Sequence, residues 1–212
     1  MKKTLWTLAL SAGLLSAGEF EQAVEDYRSG NYIQALNLFY VLAKKDDVRS
    51  QYNVALIYEN GLGVQKDLPQ AKLWYERAAK QGNASAQYNL AQMYHEAGQK
   101  DVHAYEKAKY WYDKSVNAGV KEAYNNLGAL YLNGQGVKKD EQKAFRLFQK
   151  GAQKGDDAAK VNAAVLYAWG ENVTHDKMKA YDYLKSALKA GKSEASGYLD
   201  RLCKESAWVC KD

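Results

Sequence analysis

A serine and a lysine near the C-terminal end have a spacing that nucleophilic catalysis uses. Ser186 and Lys189 form an S-x-x-K pattern, which on a helix places the lysine amine one turn from the serine hydroxyl. Tyr124-Asn125-Asn126 matches a Y-x-N element that can accompany such a serine. No K-T-G element exists, and the order of the elements is wrong for a serine hydrolase of this kind. These matches do not define a catalytic site.

The two cysteines, Cys203 and Cys210, are seven residues apart. On one unbroken helix this separation corresponds to about 10 Å, which exceeds the roughly 7 Å limit for a disulfide. A disulfide therefore requires a break near Ser206–Trp208, and we favour this pairing. The alternative is two free thiols, with Cys203 in the core of a terminal helix. The spacing fits neither a redox C-x-x-C motif nor a zinc site, and the three histidines stand alone, so we expect no metal and no other cofactor.

Most of the chain consists of one segment that occurs four times. An asparagine and a tyrosine five residues later recur at steps of 36, 37 and 36 residues, as Asn53…Tyr58, Asn89…Tyr94, Asn126…Tyr131 and Asn162…Tyr167. A second half runs from an alanine to a glycine at 71–82, 108–119, 144–155 and 180–191. A fixed period of this size indicates a stacked array of repeats. Ser186 lies one residue before the position that Ala78 and Gly151 hold in other repeats, so its place in the repeated second half can account for it.

Each repeat is predicted to form a pair of antiparallel helices. Leu127, Leu130 and Tyr131 have the i, i+3, i+4 spacing of one helix face, and a second such face follows Ala144. The G-x-G-V sequence between the two faces, at 61–64 and 134–137, ends the first helix because glycine supplies a positive φ. The aspartate that follows this sequence is a candidate N-cap of the second helix.

The pattern A-x-x-N-L-G-x-x-Y-x-x-G-x-G-V-x-x-D-x-x-K-A, followed by A-A-x-x-G, closely resembles the Sel1-like repeat, a relative of the tetratricopeptide repeat. The resemblance covers Arg49 to Lys192 and is strongest at Ser50–Asn83 and Ala123–Asp156. It implies an all-α protein, a right-handed α-solenoid of stacked helix-turn-helix repeats that binds proteins or peptides. The cysteine-rich Sel1-like proteins secreted by some Gram-negative bacteria carry a disulfide in every repeat, and this chain has one pair at most.

The N-terminal residues are predicted to direct export. Met1-Lys2-Lys3 precedes an uncharged apolar run, Thr4–Leu15, and small residues suited to cleavage before Glu19. The run is shorter than the roughly 20 residues of a membrane-spanning helix, and no cysteine follows it to carry a lipid. We therefore expect a periplasmic or secreted protein of a Gram-negative cell, without membrane insertion after cleavage. Such a compartment permits the disulfide.

The sequence divides into seven predicted segments. They are a signal peptide (1–18), an N-terminal tetratricopeptide-like helix pair (19–47), Sel1-like repeats at 48–83, 84–120, 121–156 and 157–192, and a C-terminal capping helix with its tail (193–212). The formal net charge of +5 is mild, and no basic cluster with interleaved aromatic residues is present. The composition therefore argues against binding of nucleic acid.

The exposed face of the first helices is the predicted binding surface, because first helices line the concave side in related solenoids. The candidate binding residues are Arg49, Tyr52, Glu59, Tyr88, Gln92, His95, Glu122 and Asn125, with Leu56, Ser85, Ala129, Leu132, Ala158, Val161 and Val165 beside them. Tyr52 and Tyr88 would anchor an extended segment or a helix, although packing between repeats is the alternative role for both. We expect the four recurring asparagines to bond the backbone of a neighbouring helix.

The sequence favours an exported, non-enzymatic module or scaffold that binds a protein or peptide in the cell envelope. One alternative is binding or hydrolysis of β-lactams or peptidoglycan, which the resemblance to cysteine-rich relatives and the Ser186–Lys189 pair suggest. Another alternative is a structural part of an envelope or flagellar machine. The sequence does not identify the partner or the oligomeric state.

Overall fold

The computed structural model describes residues 18–210, and the regular structure within this range is entirely helical. Most of the predicted signal peptide, residues 1–17, lies outside the described residues. The described helices are α1 (18–28), α2 (Tyr32–Lys44), α3 (Val48–Asn60), α4 (Leu68–Lys80), α5 (Ala84–Gly98), α6 (His103–Asn117), α7 (Lys121–Asn133), α8 (Glu141–Gln153), α9 (Asp157–Trp169), α10 (Lys177–Lys189) and α11 (Glu194–Glu205), and a 3₁₀ turn follows at Ala207–Cys210. The predicted all-α class is confirmed.

The described residues divide between Leu90 and Ala91 into two compact units. In the first unit α3 packs between α2 and α4, and the fully buried side chains include Phe39, Trp74 and Tyr75. In the second unit each helix from α6 to α11 packs on the next, around buried residues such as Tyr112 and Phe148. The first helices of the four repeats are α3, α5, α7 and α9, and the second helices are α4, α6, α8 and α10.

Aspartate side chains cap the helices that follow the loops. Asp67, Asp140 and Asp176 each accept a hydrogen bond from the backbone N–H three residues later, at the start of α4, α8 and α10. Asp47 and Asp156 do the same at the start of α3 and α9. Each bond satisfies an N–H group that has no partner within its own helix. The capping role predicted for the aspartate after the loop is confirmed at Asp67 and Asp140.

The two glycines in the loop of the third repeat, Gly134 and Gly136, have different structural roles. Gly134 ends α7 in the left-handed conformation, with a φ of 69°. Gly136 also has a positive φ, 64°, and a Cβ at this position would lie 2.6 Å from the carbonyl carbon of Tyr105 and 2.7 Å from the backbone nitrogen of Glu106. Because both atoms belong to the first turn of α6, the loop of one repeat packs on the second helix of the repeat before it.

The loop of the fourth repeat lacks the G-x-G-V sequence and is held by a carboxylate. The backbone N–H groups of Glu171 and Asn172 donate to the two oxygens of Glu141 at 3.1 and 3.0 Å, and the Asn172 amide donates at 2.8 Å. Burial by itself would raise the pKa of Glu141, but these three hydrogen bonds hold the pKa below its ordinary value. Glu141, the first residue of α8, thus ties its helix to the loop of the next repeat.

Replacing Glu141 by glutamine is expected to lower the free energy of unfolding by about 1 kcal/mol, because the amide nitrogen cannot accept the loop N–H groups. A carboxyl group whose pKa is lower in the folded than in the unfolded state stabilises the folded protein at any pH above its unfolded pKa. This contribution is lost as the pH falls through the folded pKa. Thermal unfolding at about pH 7 and about pH 3 checks the loss of stability and its dependence on pH. The difference in melting temperature between wild type and Glu141→Gln should be smaller in acid. A difference that does not depend on pH would contradict the role of the charge.

The C-terminal end folds back on itself. α11 ends at Glu205, and the 3₁₀ turn that follows brings Cys210 to Cys203, to which it is bonded with a Cα–Cα distance of 5.6 Å. The helix break expected near Ser206–Trp208 is present. Val209 of this turn is buried in a core cluster that includes Leu202. The disulfide therefore fixes the turn that closes this end of the core.

The double variant Cys203→Ala/Cys210→Ala is expected to lose about 2 kcal/mol of local stability, because the bond closes a short loop of the unfolded chain. Hydrogen exchange of the α11 amides measures this loss, with the α7 amides of the same unit as the internal control. Faster exchange in α11 and unchanged exchange in α7 is the expected result. Unchanged protection of α11 would show that packing alone holds the turn.

Candidate functional site

In the first unit, the first helices carry a face of polar and aromatic side chains. Tyr52 and Glu59 lie two turns apart on α3, and Ser85, Tyr88 and Asn89 lie on α5. Ser85 is exposed and the other four residues are half-buried. We call these five residues the tyrosine face. It contains four residues of the predicted binding surface: Tyr52, Glu59, Ser85 and Tyr88.

Tyr75, a buried residue of α4, joins the tyrosine face from the second helix. Its hydroxyl donates to Glu59 Oε2 at 2.6 Å and accepts from the Asn89 amide at 2.9 Å. The ring of Tyr52 lies 5.8 Å from the ring of Tyr75, tilted by 48°. Burial raises the pKa of Tyr52, and burial together with the bond to Glu59 raises the pKa of Tyr75. Both phenols therefore stay protonated at neutral pH, and that of Tyr75 donates to Glu59.

Arg49, another residue of the predicted surface, is engaged by neighbouring side chains. Its guanidinium stacks on the ring of Phe20, 3.8 Å from the ring centre, and lies 3.7 Å from the Asp47 carboxylate. These contacts hold the Arg49 side chain against α1. The positive charge of Arg49 is thus already paired in the first unit.

In the second unit, a chain of amides crosses from α9 to α7. Asn162 donates to Asn125 Oδ1 at 2.8 Å, and the Asn125 amide lies 3.4 Å from Asn126 Oδ1. Asn126 donates to the hydroxyl of Tyr112 on α6 at 3.3 Å. Asn125, a predicted binding residue, is half-buried within this chain. Its amide can still offer a second N–H to a ligand.

The other predicted residues of the second unit are in varied surroundings. The His95 ring lies 5.5 Å from the Tyr105 ring, and Gln92 is half-buried one turn before it on α5. Glu122 is exposed at the start of α7, 4.0 Å from Lys121 Nζ. Val161, which we expected on the binding surface, is instead 4% exposed and belongs to the core cluster of this end.

The expectation that the recurring asparagines bond a neighbouring backbone is wrong. Asn89 and Asn126 donate instead to phenol oxygens, those of Tyr75 and Tyr112, each fourteen residues earlier on a second helix. These bonds join a first helix to the second helix of the repeat before it, but they do so through side chains.

The partner of each asparagine follows from the residue fourteen positions earlier. Phe39 and Phe148 stand where Tyr75 and Tyr112 stand in the other repeats, and a phenylalanine offers no hydroxyl. Asn53 therefore donates to the carbonyl of Arg49 in its own helix at 3.0 Å, and Asn162 donates to Asn125. Each asparagine amide therefore bonds to the preceding second helix only where that helix carries a tyrosine hydroxyl fourteen residues earlier.

In the first three repeats, the backbone bonds expected of the asparagines are made by the residue two positions earlier. Three side chains there are buried, and each donates to the carbonyl eight residues before it, near the end of the preceding helix: Gln51 to Ala43 at 3.3 Å, Gln87 to Ala79 at 3.2 Å, and Tyr124 to Val116 at 3.3 Å. Sequence analysis missed this repeated position because its residue type changes from repeat to repeat. The sequence indicates it only by a large polar residue that recurs at steps of 36 and 37 residues on the buried side of the first helix.

Replacing Gln51 by leucine is expected to lower the free energy of unfolding by about 1–2 kcal/mol, because the buried amide also accepts from Gln81 at 2.9 Å. Asn53→Leu is the matched control on the same helix, and we expect it to change stability by less than about 0.5 kcal/mol. Urea unfolding of the two variants measures the difference. A larger loss of stability for Asn53→Leu than for Gln51→Leu would show that the recurring asparagines, and not the residues two positions earlier, stabilise the contact between helices.

The residues that matched a catalytic pattern have contacts within the helix array. Ser186 is exposed on α10, and its hydroxyl accepts a hydrogen bond from Lys160 on α9 at 3.2 Å. The Tyr124 phenol donates to the carbonyl of Val116. Between residues 18 and 210, no three His, Cys, Asp or Glu side chains form a group that could hold a metal ion. In the same range, no helix is both long enough and apolar enough to cross a membrane.

Stacked helix pairs with αL glycines, capping aspartates and side-chain bonds between repeats define an α-solenoid of short helical repeats. The Sel1 repeat family model matches residues 48–83, 84–120, 121–156 and 158–192. These segments make up more than half of the chain, and the chain belongs to the Sel1 repeat family. Sel1 repeats generally mediate protein–protein interactions, and proteins built from them are generally non-enzymatic interaction modules.

Solved structures of two bacterial proteins are similar over most of the chain. A protective antigen present in uropathogenic Escherichia coli strains, with a Sel1-like repeat fold, matches with a TM-score of 0.81 and 31% identity over 90% of this chain and 42% of its own. A Sel1 repeat protein from Oxalobacter formigenes matches with a TM-score of 0.76 and 28% identity over 87% of this chain and 75% of its own. The solenoid class predicted from the sequence is thereby confirmed.

Among curated proteins, a Sel1-like repeat-containing protein of Acanthamoeba polyphaga mimivirus is 39% identical over 67 residues. The match covers 31% of this chain and 13% of that relative. The chain therefore spans less than half of this relative and of the Escherichia coli structure.

Proposed function

We propose that this chain is an exported interaction module of the bacterial cell envelope, which binds a protein or peptide along the exposed faces of its first helices. The tyrosine face is the observation that carries this proposal. It combines half-buried aromatic rings with amide and carboxylate groups, and Tyr52 is supported from beneath by the buried Tyr75. Rigid, partly buried aromatic side chains of this kind supply much of the binding energy in protein interfaces.

Two features support export. The first residues have the charge and hydropathy of a secretory leader, and the chain carries a disulfide, which forms readily outside the reducing cytoplasm. The description of the Escherichia coli relative as a protective antigen is in keeping with such a location. The proposal expects the mature protein to begin at Glu19, which N-terminal sequencing of the protein from a periplasmic or culture fraction would test. A protein that retains Met1 in the cytoplasmic fraction would refute export.

Affinity capture from envelope extract tests the binding face. The wild-type chain is compared with the variant Tyr52→Ala/Tyr88→Ala and with a control, Tyr110→Ala, whose ring is 51% exposed on the second helix α6. We expect one partner to be retained by wild type and control and lost by the double variant. Circular dichroism and thermal unfolding confirm that the double variant is folded. A partner that is retained equally by all three proteins would place the binding surface elsewhere.

A further inference from the structure

The carboxylate of Glu59 carries a charge that the first unit leaves without an opposite partner. Glu59 is half-buried on α3, and no ion pair joins it to any lysine, arginine or histidine among residues 18–210. The cation on the same helix, Arg49, lies ten residues earlier, where it is paired with Asp47 and stacked on Phe20. A half-buried charge without an opposite charge beside it is unfavourable, because its hydration is partly lost and only the hydroxyl of Tyr75 replaces it.

The internal hydrogen bond of Glu59 does not require this charge. Tyr75 donates one bond to Oε2, and a neutral glutamine oxygen would accept the same bond. The second carboxylate oxygen remains available to a ligand. The negative charge of Glu59 is therefore available to a ligand.

The neighbours of Glu59 favour a positively charged group. Tyr52 lies two turns away on the same helix, and Tyr75 links the two residues, because its hydroxyl donates to Glu59 and its ring lies 5.8 Å from the ring of Tyr52. The face of a tyrosine ring attracts cations through its quadrupole. A carboxylate beside an aromatic ring therefore complements the ammonium of lysine or the guanidinium of arginine, both of which bring a long apolar stem that packs on the ring.

We propose that the tyrosine face recognises a basic side chain, lysine or arginine, of the partner polypeptide, with Glu59 as the counter-charge and Tyr52 as the ring on which the stem lies. This inference rests on the proposed binding function and adds the chemistry of the partner. The whole chain has a formal net charge of +5, so its overall field repels basic peptides. A preference for basic residues must then come from a local site.

Selection of a random peptide library on the purified chain tests the proposal. Glu59→Gln is the test variant, because it removes the charge and keeps the acceptor for Tyr75. Glu106→Gln is the matched control, since Glu106 is an exposed acidic residue on the second helix α6, outside the predicted binding surface. We expect wild type and Glu106→Gln to select peptides with lysine or arginine at one position, and Glu59→Gln to lose this preference. The selected peptide should bind Glu59→Gln about tenfold more weakly.

The peptide itself supplies a second comparison. Replacing its basic residue by norleucine, which keeps the apolar stem, should weaken binding to wild type and leave binding to Glu59→Gln unchanged. Equal affinity of wild type and Glu59→Gln for the original peptide would overturn the inference. Peptides that require Tyr52 but show no basic preference would overturn the inference and leave the proposed function intact. Peptides that are insensitive to Tyr52→Ala/Tyr88→Ala would overturn both.

Discussion

Replacing Phe148 by alanine is expected to lower the free energy of unfolding by about 3–5 kcal/mol. Phe148 is fully buried on α8, and its ring occupies the space that Gly128 on α7 leaves open. A Cβ on Gly128 would lie 2.6 Å from this ring, so the glycine and the phenylalanine fit each other. Removing the ring opposite a residue without a side chain leaves a cavity that its neighbours cannot fill without moving α7 and α8 together.

Urea unfolding measures this loss, and Tyr110→Ala serves as the control. Its ring is 51% exposed on α6 in the same unit, so we expect a change of less than about 1 kcal/mol. A loss below about 1 kcal/mol for Phe148→Ala would mean that α7 and α8 close over the gap. The contact between Gly128 and Phe148 would then not determine how closely the two helices approach.

Replacing Gly136 by alanine is expected to destabilise the second unit by more than about 2 kcal/mol, for two reasons that can be separated. The first is its positive φ, which a residue with a Cβ adopts only with strain. The second is the main chain of α6, whose Tyr105 carbonyl carbon would lie 2.6 Å from the new Cβ. Backbone atoms cannot rotate away as a flexible side chain can, so the loop or the helix must shift.

Gly155→Ala isolates the first reason, because Gly155 has a φ of 84° and a Cβ added there would meet no atom within 4 Å. We expect Gly155→Ala to lose only about 1 kcal/mol. Thermal unfolding of the two variants compares the losses directly. Equal losses would show that the loop of the third repeat does not depend on its close approach to α6.

Much of the fold follows from local signals that recur in the sequence. The loop glycines and the capping aspartates act within a few residues, so the pattern around Gly134 and Asp140 predicts the end of one helix and the start of the next. The loop of the fourth repeat could not be predicted in this way. Its geometry depends on Glu141, which lies thirty residues before Glu171 in the sequence.

The partners of the polar residues were harder to predict than their positions. The repeat period located Asn89 and Asn126, but their partners, Tyr75 and Tyr112, lie on helices of the preceding repeat. Sequence spacing within one helix contains no information on that contact. The same limit hid the support that Tyr75 gives to Glu59, which the sequence presents only as an exposed position on a first helix.

The binding surface was predicted from helix geometry, and the structure shows where that geometry fails. Position 161 follows the register of Asn125, yet Val161 packs into the core near the C-terminal cap. An apolar side chain at a boundary position turns inward because burial removes its surface from water. Tyr52 and Asn125 at the same register stay half-buried, since their polar atoms need partners at the surface.

Oxidative footprinting of tyrosine side chains, with and without the captured partner, tests the central claim most directly. The claim is that a partner lies on the first helices. It predicts that binding protects Tyr52 and Tyr88 from labelling, while Tyr110 on a second helix is labelled as in the free protein. Protection of Tyr110 together with unchanged labelling of Tyr52 and Tyr88 would contradict the claim and move the interaction to the second helices.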